Sequence, residues 1–144
     1  MVLMYFLPGV PCIYYGDEAG MQGHKDPFNR RCYPWGNEDT ELIEFTKQLS
    51  ALRKNSSVFR DGITKFLFSD ENITGFARIK QSQNKAVVVL INRSDKVEYI
   101  SRTLTPNYSK YNIIVGKQEQ KSEKDDEVNI RLEPFSFAFI KIEA

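Results

Sequence analysis

Apolar positions change their period near residue 56, and the change divides the chain into two stretches, 1–55 and 56–144. Met1 to Phe6 reads as the end of a helix or the turn after it, ordered or not, halted by Pro8-Gly9. Pro11 to Tyr15 is a short apolar run with two aromatics, bounded by Pro and Gly, which predicts a fully buried strand. A polar loop follows from Gly16 to Asp39. Leu42, Phe45, Leu49 and Leu52 then recur at three- and four-residue spacing, predicting an amphipathic helix over 39–54. Asn37 or Asp39 can cap it, Glu38 and Glu41 suit its positive end, Arg53 and Lys54 suit its negative end, and Asn55-Ser56-Ser57 stops it. The stripe of that helix is expected to cover neighbouring apolar surface.

From Val58 onward the pattern is of strands between polar turns: Val58–Arg60, Gly62–Ser69, Ile73–Lys80, Lys85–Arg93, Lys96–Thr103, Tyr111–Val115, Val128–Leu132 and Phe135–Ile142. Spacing of roughly 8 to 12 residues predicts an all-β sandwich. Ala86 to Ile91 is apolar throughout and predicts a central strand buried on both faces, whereas Val97-Glu-Tyr-Ile alternates like a half-exposed one. In the last strand Phe135, Phe137, Phe139 and Lys141 share one face and Ser136, Ala138, Ile140 and Ile142 the other. Residues 116–127 are charged and poor in apolar side chains, predicting a mobile hairpin tip.

Composition adds few constraints. The chain has 144 residues, 41% hydrophobic and 27% charged, with 20 basic against 19 acidic residues, a balance that offers no field for nucleic acid or a membrane surface. Met1 to Leu7 is too short for a secretion signal and lacks a basic start. Localisation stays open on this reading, a cytoplasmic one being favoured. Cys12 and Cys32 are too few for a disulfide framework and are expected as free thiols, Cys12 buried in its strand.

The stretch Gly9-Val-Pro-Cys-Ile-Tyr-Tyr-Gly-Asp-Glu, followed by Asp26-Pro-Phe-Asn-Arg-Arg, resembles the end of the catalytic barrel in the α-amylase family of glycosidases, in the neopullulanase, cyclomaltodextrinase and maltogenic-amylase branch. The first phrase resembles the eighth barrel strand and the second the loop after it. The resemblance implies a mainly β fold: an antiparallel Greek-key β-sandwich, the amylase C domain, at 56–144, preceded at 1–55 by the last strand, loop and helix of a truncated (β/α)₈ barrel. A whole barrel needs roughly 200 residues or more. The chain is therefore expected to be a cloned C-terminal piece, or a truncated gene product, of a larger enzyme.

Catalysis by these residues is not expected. Retaining glycosidases use two carboxyl groups about 5 to 5.5 Å apart across the scissile bond, and Asp17-Glu18 is the one tempting pair. Adjacent residues at a strand end point in opposite directions, and the family's catalytic carboxylates lie on earlier strands. Asp17 and Glu18 are expected to orient the loop or pair with an arginine, with support of the substrate-touching residues as the functional alternative. Asp26 and Arg30, four residues apart, can both bond sugar hydroxyls; by resemblance, the Asp and Arg of an Asp-Pro-x-x-Arg loop contact a donor-side glucose. An internal ion pair that only shapes the loop is the equal alternative. Arg31 and His24 are expected to be ordinary loop residues. Tyr15, Phe28, Tyr33 and Trp35 either stack on sugar rings or plug the barrel rim. No metal or cofactor motif occurs, so none is expected.

Two functions follow. The first is a C-terminal fragment of an α-glucan-cleaving glycosidase, inert alone, whose sandwich stabilises the barrel and whose exposed barrel remnant favours self-association. The second is a free-standing carbohydrate-binding or assembly module, for which Tyr99, Tyr108 and Tyr111 are the candidate exposed aromatics.

Overall fold

The computed structural model describes residues 1–103, 110–115, 117–121 and 127–143. Its contacts divide the chain into two compact units, Met1–Ser56 and Ser57–Ala144.

The first unit is built on helix α2, Thr40–Lys54, with the short helix α1, Val2–Phe6, packed on it. Asp39 is the N-cap: its Oδ1 accepts from the Leu42 amide at 2.9 Å, satisfying one of the donors a helix start leaves open. Arg53 does more than complement the helix end, since its guanidinium donates to the Tyr5 and Gly9 carbonyls, while Ser50 Oγ bonds Tyr5 Oη at 3.0 Å. Leu49 is fully buried and Leu42, Phe45 and Leu52 are half-buried.

Pro11–Tyr15 departs from the sequence expectation, because it forms no strand. Apolar character alone makes no ladder; a strand needs a neighbour to bond, and none pairs with this segment among the described residues. Ile13, Tyr14 and Tyr15 are consequently exposed, as is Val10 at 92%. Cys12, expected inside, is exposed for the same reason; Cys32 is exposed also, and both are free.

The second unit is two antiparallel sheets. Strands β1 (Ile63–Ser69), β2 (Ile73–Lys80), β3 (Lys85–Asn92), β4 (Glu98–Thr103), β5 (Lys110–Val115), β6 (Lys117–Lys121), β7 (Glu127–Leu132) and β8 (Phe137–Glu143) assemble as β1-β2-β3-β8-β5 and β4-β7-β6. Ala86, Val88 and Leu90 of β3 and Ala138, Ile140 and Ile142 of β8 meet Ile100, Ile130 and Leu132 of the smaller sheet in one core. Full burial of such side chains contributes roughly 1.5 to 3 kcal/mol each. The opposite face of β3 and β8 is buried as well, through Val87, Val89, Phe137 and Phe139, as a continuous apolar run predicts.

That face explains a second departure. Val58–Arg60 is not a strand but part of the one-turn helix α3, Val58–Asp61, which sets Val58 and Phe59 over the sheet; Phe59 lies 5.9 Å from the Phe139 ring. Three apolar-leaning residues are too few to show a period, and packing decides. Gly62 closes the turn, and a Cβ there would meet the Val58 carbonyl oxygen at 2.3 Å. Buried Arg78 ties α3 down, donating to the Gly62 carbonyl at 2.8 Å with its guanidinium carbon 5.6 Å from the Phe59 ring centre.

Within 116–127, expected as a hairpin tip, Lys117–Lys121 is strand β6, paired with β7 from Lys117↔Arg131 to Lys121↔Val128. A polar edge strand needs only backbone pairing, and lysines suit an edge. Residues 116 and 122–126 lie outside the described residues. The last strand starts at Phe137 rather than Phe135, because Phe135 takes φ 48° in the preceding turn.

Candidate functional site

The loop Gly16–Asp39 is pinned at both ends. Tyr14 donates its amide to Asp17 Oδ2 at 3.2 Å, Asp17 returns a bond to the Tyr14 carbonyl at 3.0 Å, and the Asp39 amide reaches the Ala19 carbonyl at 3.1 Å. Gly16 and Gly20 flank the 3₁₀ turn Asp17–Ala19, both with positive φ. At Gly16 the φ of 82° disfavours any side chain, and a Cβ there would stand 2.3 Å from Met21 Sδ and push that side chain aside. Tyr15 Oη donates to the Arg31 carbonyl, a link across the loop that no local pattern announces.

Asp17 and Glu18 thus sit in a 3₁₀ turn, not at a strand end, where successive side chains diverge by about 120°. Asp17 spends one carboxylate oxygen on the turn. Tyr33 Oη is held above the usual phenol range by partial desolvation and then by the Glu18 and Glu38 carboxylates.

Asp26 and Arg30 meet, with Arg30 Nε 2.8 Å from Asp26 Oδ1, and both side chains stand open to solvent at 59% and 77% exposure. Turn bonds from the Phe28 amide to the Lys25 carbonyl and from the Arg30 amide to the Pro27 carbonyl bring them round. An exposed pair of this kind contributes roughly 0 to 1 kcal/mol. Such a pair is held weakly enough to share its hydrogen bonds with a polar ligand. A carboxylate and a guanidinium side by side present acceptors and donors in the alternation that vicinal hydroxyls require.

The loop aromatics divide. Tyr33 is half-buried with its ring 4.6 Å from that of Trp35, a contact the i, i+2 spacing across Pro34 could have suggested; Trp35 is 80% exposed, and Phe28 is exposed too. Tyr15 is fixed by its hydroxyl bond, while Arg31 and His24 are exposed loop residues. Among the described residues no group of three His, Cys, Asp or Glu side chains could hold a metal ion. No helix among them is long and apolar enough to cross a membrane.

No family model matches the chain. It is 34% identical over 138 residues to a cyclomaltodextrinase of Geobacillus thermopakistaniensis, a match covering 94% of this chain and 23% of that protein. An amylopullulanase of Thermoanaerobacterium saccharolyticum is 38% identical over 109 residues, covering 69% of this chain and 8% of the relative. Among solved structures an Anoxybacillus α-amylase matches with TM-score 0.83 at 24% identity, over 99% of this chain and 31% of that one. A debranching enzyme from Nostoc punctiforme matches with TM-score 0.81 at 23% identity, over 99% and 30%. At these identities the solved structures establish the fold, a mostly antiparallel β unit of the amylase C-terminal sandwich type. The chain spans less than a quarter of the length of the two curated relatives.

Proposed function

The chain belongs to the α-amylase family of glycosidases, and on that premise we propose that it serves as the C-terminal part of a retaining, α-glucan-cleaving hydrolase. Its substrates are of the starch, maltooligosaccharide, pullulan or cyclodextrin class. Residues 1–55 are the end of the catalytic barrel and 56–144 the sandwich that stabilises it. The observation that carries this reading is the match to a cyclomaltodextrinase along 94% of the chain, through the loop and the sandwich alike.

Asp26 and Arg30 hold a sugar in a donor-side subsite. Their pairing and exposure support this, because the ion pair and the sugar contact are compatible rather than exclusive. Asp17 and Tyr15 shape the loop, Glu18 supports it, and Trp35 is open for stacking.

The chain alone is inert, because the family's catalytic carboxylates lie on earlier barrel strands and double displacement needs such a pair. Incubated with starch, pullulan and cyclodextrins, it should release no reducing ends. Turnover that survives repurification and vanishes on mutating a residue of this chain would overturn the reading.

Val10, Ile13, Tyr14 and Tyr15 are exposed in a segment without ladder partners among the described residues, and unpaired apolar backbone recruits partners. The isolated chain should therefore self-associate with rising concentration, or exchange its amides rapidly before residue 36. A strict monomer by light scattering, with slow exchange throughout 1–35, would contradict this.

The alternative, a free-standing carbohydrate-binding module, is favoured by one observation: Tyr99 is 65% exposed on the sandwich. Tyr108 and the Tyr111 side chain lie outside the described residues.

A further inference from the structure

Tyr99 sits on β4, and the register of the smaller sheet places it opposite Arg131 of β7, with Ser101 opposite Asn129 two residues on. Directly opposed residues of an antiparallel pair share a face. Between these two rows Ile100 and Ile130 turn the other way, into the core, so Tyr99, Ser101, Asn129 and Arg131 all lie on the outer face. Arg131 is gripped by Glu133 in a two-pronged contact, 2.5 Å and 3.3 Å. The register thus sets a flat aromatic ring beside a flat guanidinium–carboxylate pair on one face of the sheet.

We propose that this outer face is a second glucan-binding surface, remote in sequence from the Asp26–Arg30 loop, in which a glucose ring stacks on Tyr99 and its hydroxyls bond Arg131, Glu133 and Asn129. The proposal rests on the α-glucan reading given above. An exposed tyrosine offers a face to the C–H groups of a sugar, and the neighbouring polar set supplies both donors and acceptors. Arg131 and Glu133 pair on this face and so present donors and acceptors side by side, as a polyhydroxyl chain requires. The sheet fixes the spacing before any ligand arrives, which lowers the ordering cost of binding.

The test titrates the 144-residue chain with maltoheptaose and, as a control, cellohexaose, following amide shifts by NMR and heat by calorimetry. The expected result is saturable binding of maltoheptaose, with shifts at Tyr99–Ser101 and 129–133. Tyr99→Ala should weaken that binding about tenfold, Tyr99→Phe should keep it, and Asp26→Ala should leave these shifts unchanged. No binding, equal binding of cellohexaose, shifts confined to 16–39, or full affinity in Tyr99→Ala with an unchanged melting temperature would each overturn the proposal. None of those results bears on whether the chain completes a hydrolase, which is decided by turnover in a longer enzyme.

Discussion

Asn92→Asp should destabilise the β-sandwich by about 3 to 5 kcal/mol, the cost of leaving a charge buried without its partners. Asn92 ends β3 and is buried at 1% exposure. Its Nδ2 donates to the Lys96 carbonyl at 2.7 Å and the Glu133 carbonyl at 2.9 Å, while its Oδ1 accepts from the Ser94 amide and hydroxyl, both at 2.9 Å. One amide thereby joins the large sheet to the end of β7 in the small one. Aspartate keeps the shape and turns the donor into an acceptor that faces carbonyls. With a domain total of about 5 to 15 kcal/mol, the loss leaves the sandwich marginal. The substituted carboxyl has a raised folded-state pKa, so its penalty is largest at neutral pH and eases as acid protonates it. Asn92→Ala should cost about 2 to 4 kcal/mol without that pH dependence. Urea midpoints of both variants at neutral and mildly acidic pH check this, and an aspartate variant as stable as the parent would refute the joining role.

In a longer enzyme carrying this part, Asp26→Ala or Arg30→Ala should weaken use of long α-glucans by one to two decades in the specificity constant, and leave short substrates nearly unchanged. On the proposed subsite role, each would remove a charge-assisted hydrogen bond to sugar, worth roughly 1.5 to 3 kcal/mol. The ion pair itself is exposed and contributes little to stability, so melting temperature should hardly move. The loop after a barrel strand lies at the face where such folds build their sites. Steady-state kinetics on a ladder of maltooligosaccharides separates the readings: equal losses at every length, with a lower melting temperature, would mean that the pair only shapes the loop.

What could be read from the chain was what depends on local pattern. Helix α2 declares itself through Leu42, Phe45, Leu49 and Leu52, and Asp39 caps it. β3 declares itself as an unbroken apolar run, and the observed β2 has the expected bounds, Ile73–Lys80. Asp26 and Arg30 came together as their spacing allows. What escaped depends on partners far along the chain or on the lack of one among the described residues. Pro11–Tyr15 has the composition of a strand and, among the described residues, no ladder to join, and Cys12 is exposed with it. Val58–Arg60 helps form a helical turn because Phe59 packs on Phe139, 80 residues further along the chain. Polar Lys117–Lys121 pairs through its backbone, which side-chain patterning does not encode. Buried Arg78 and Asn92 look like surface residues until the sheet order shows them enclosed.

The central claim, that this chain completes an α-glucan hydrolase, is tested most directly by grafting it in place of the matching segment of the Geobacillus thermopakistaniensis cyclomaltodextrinase and measuring reducing ends released from cyclodextrins and maltooligosaccharides. The account predicts a folded chimera that turns over both, against no turnover by either piece alone. A chimera that melts cooperatively yet releases nothing, while the unaltered cyclomaltodextrinase works under the same conditions, would contradict it.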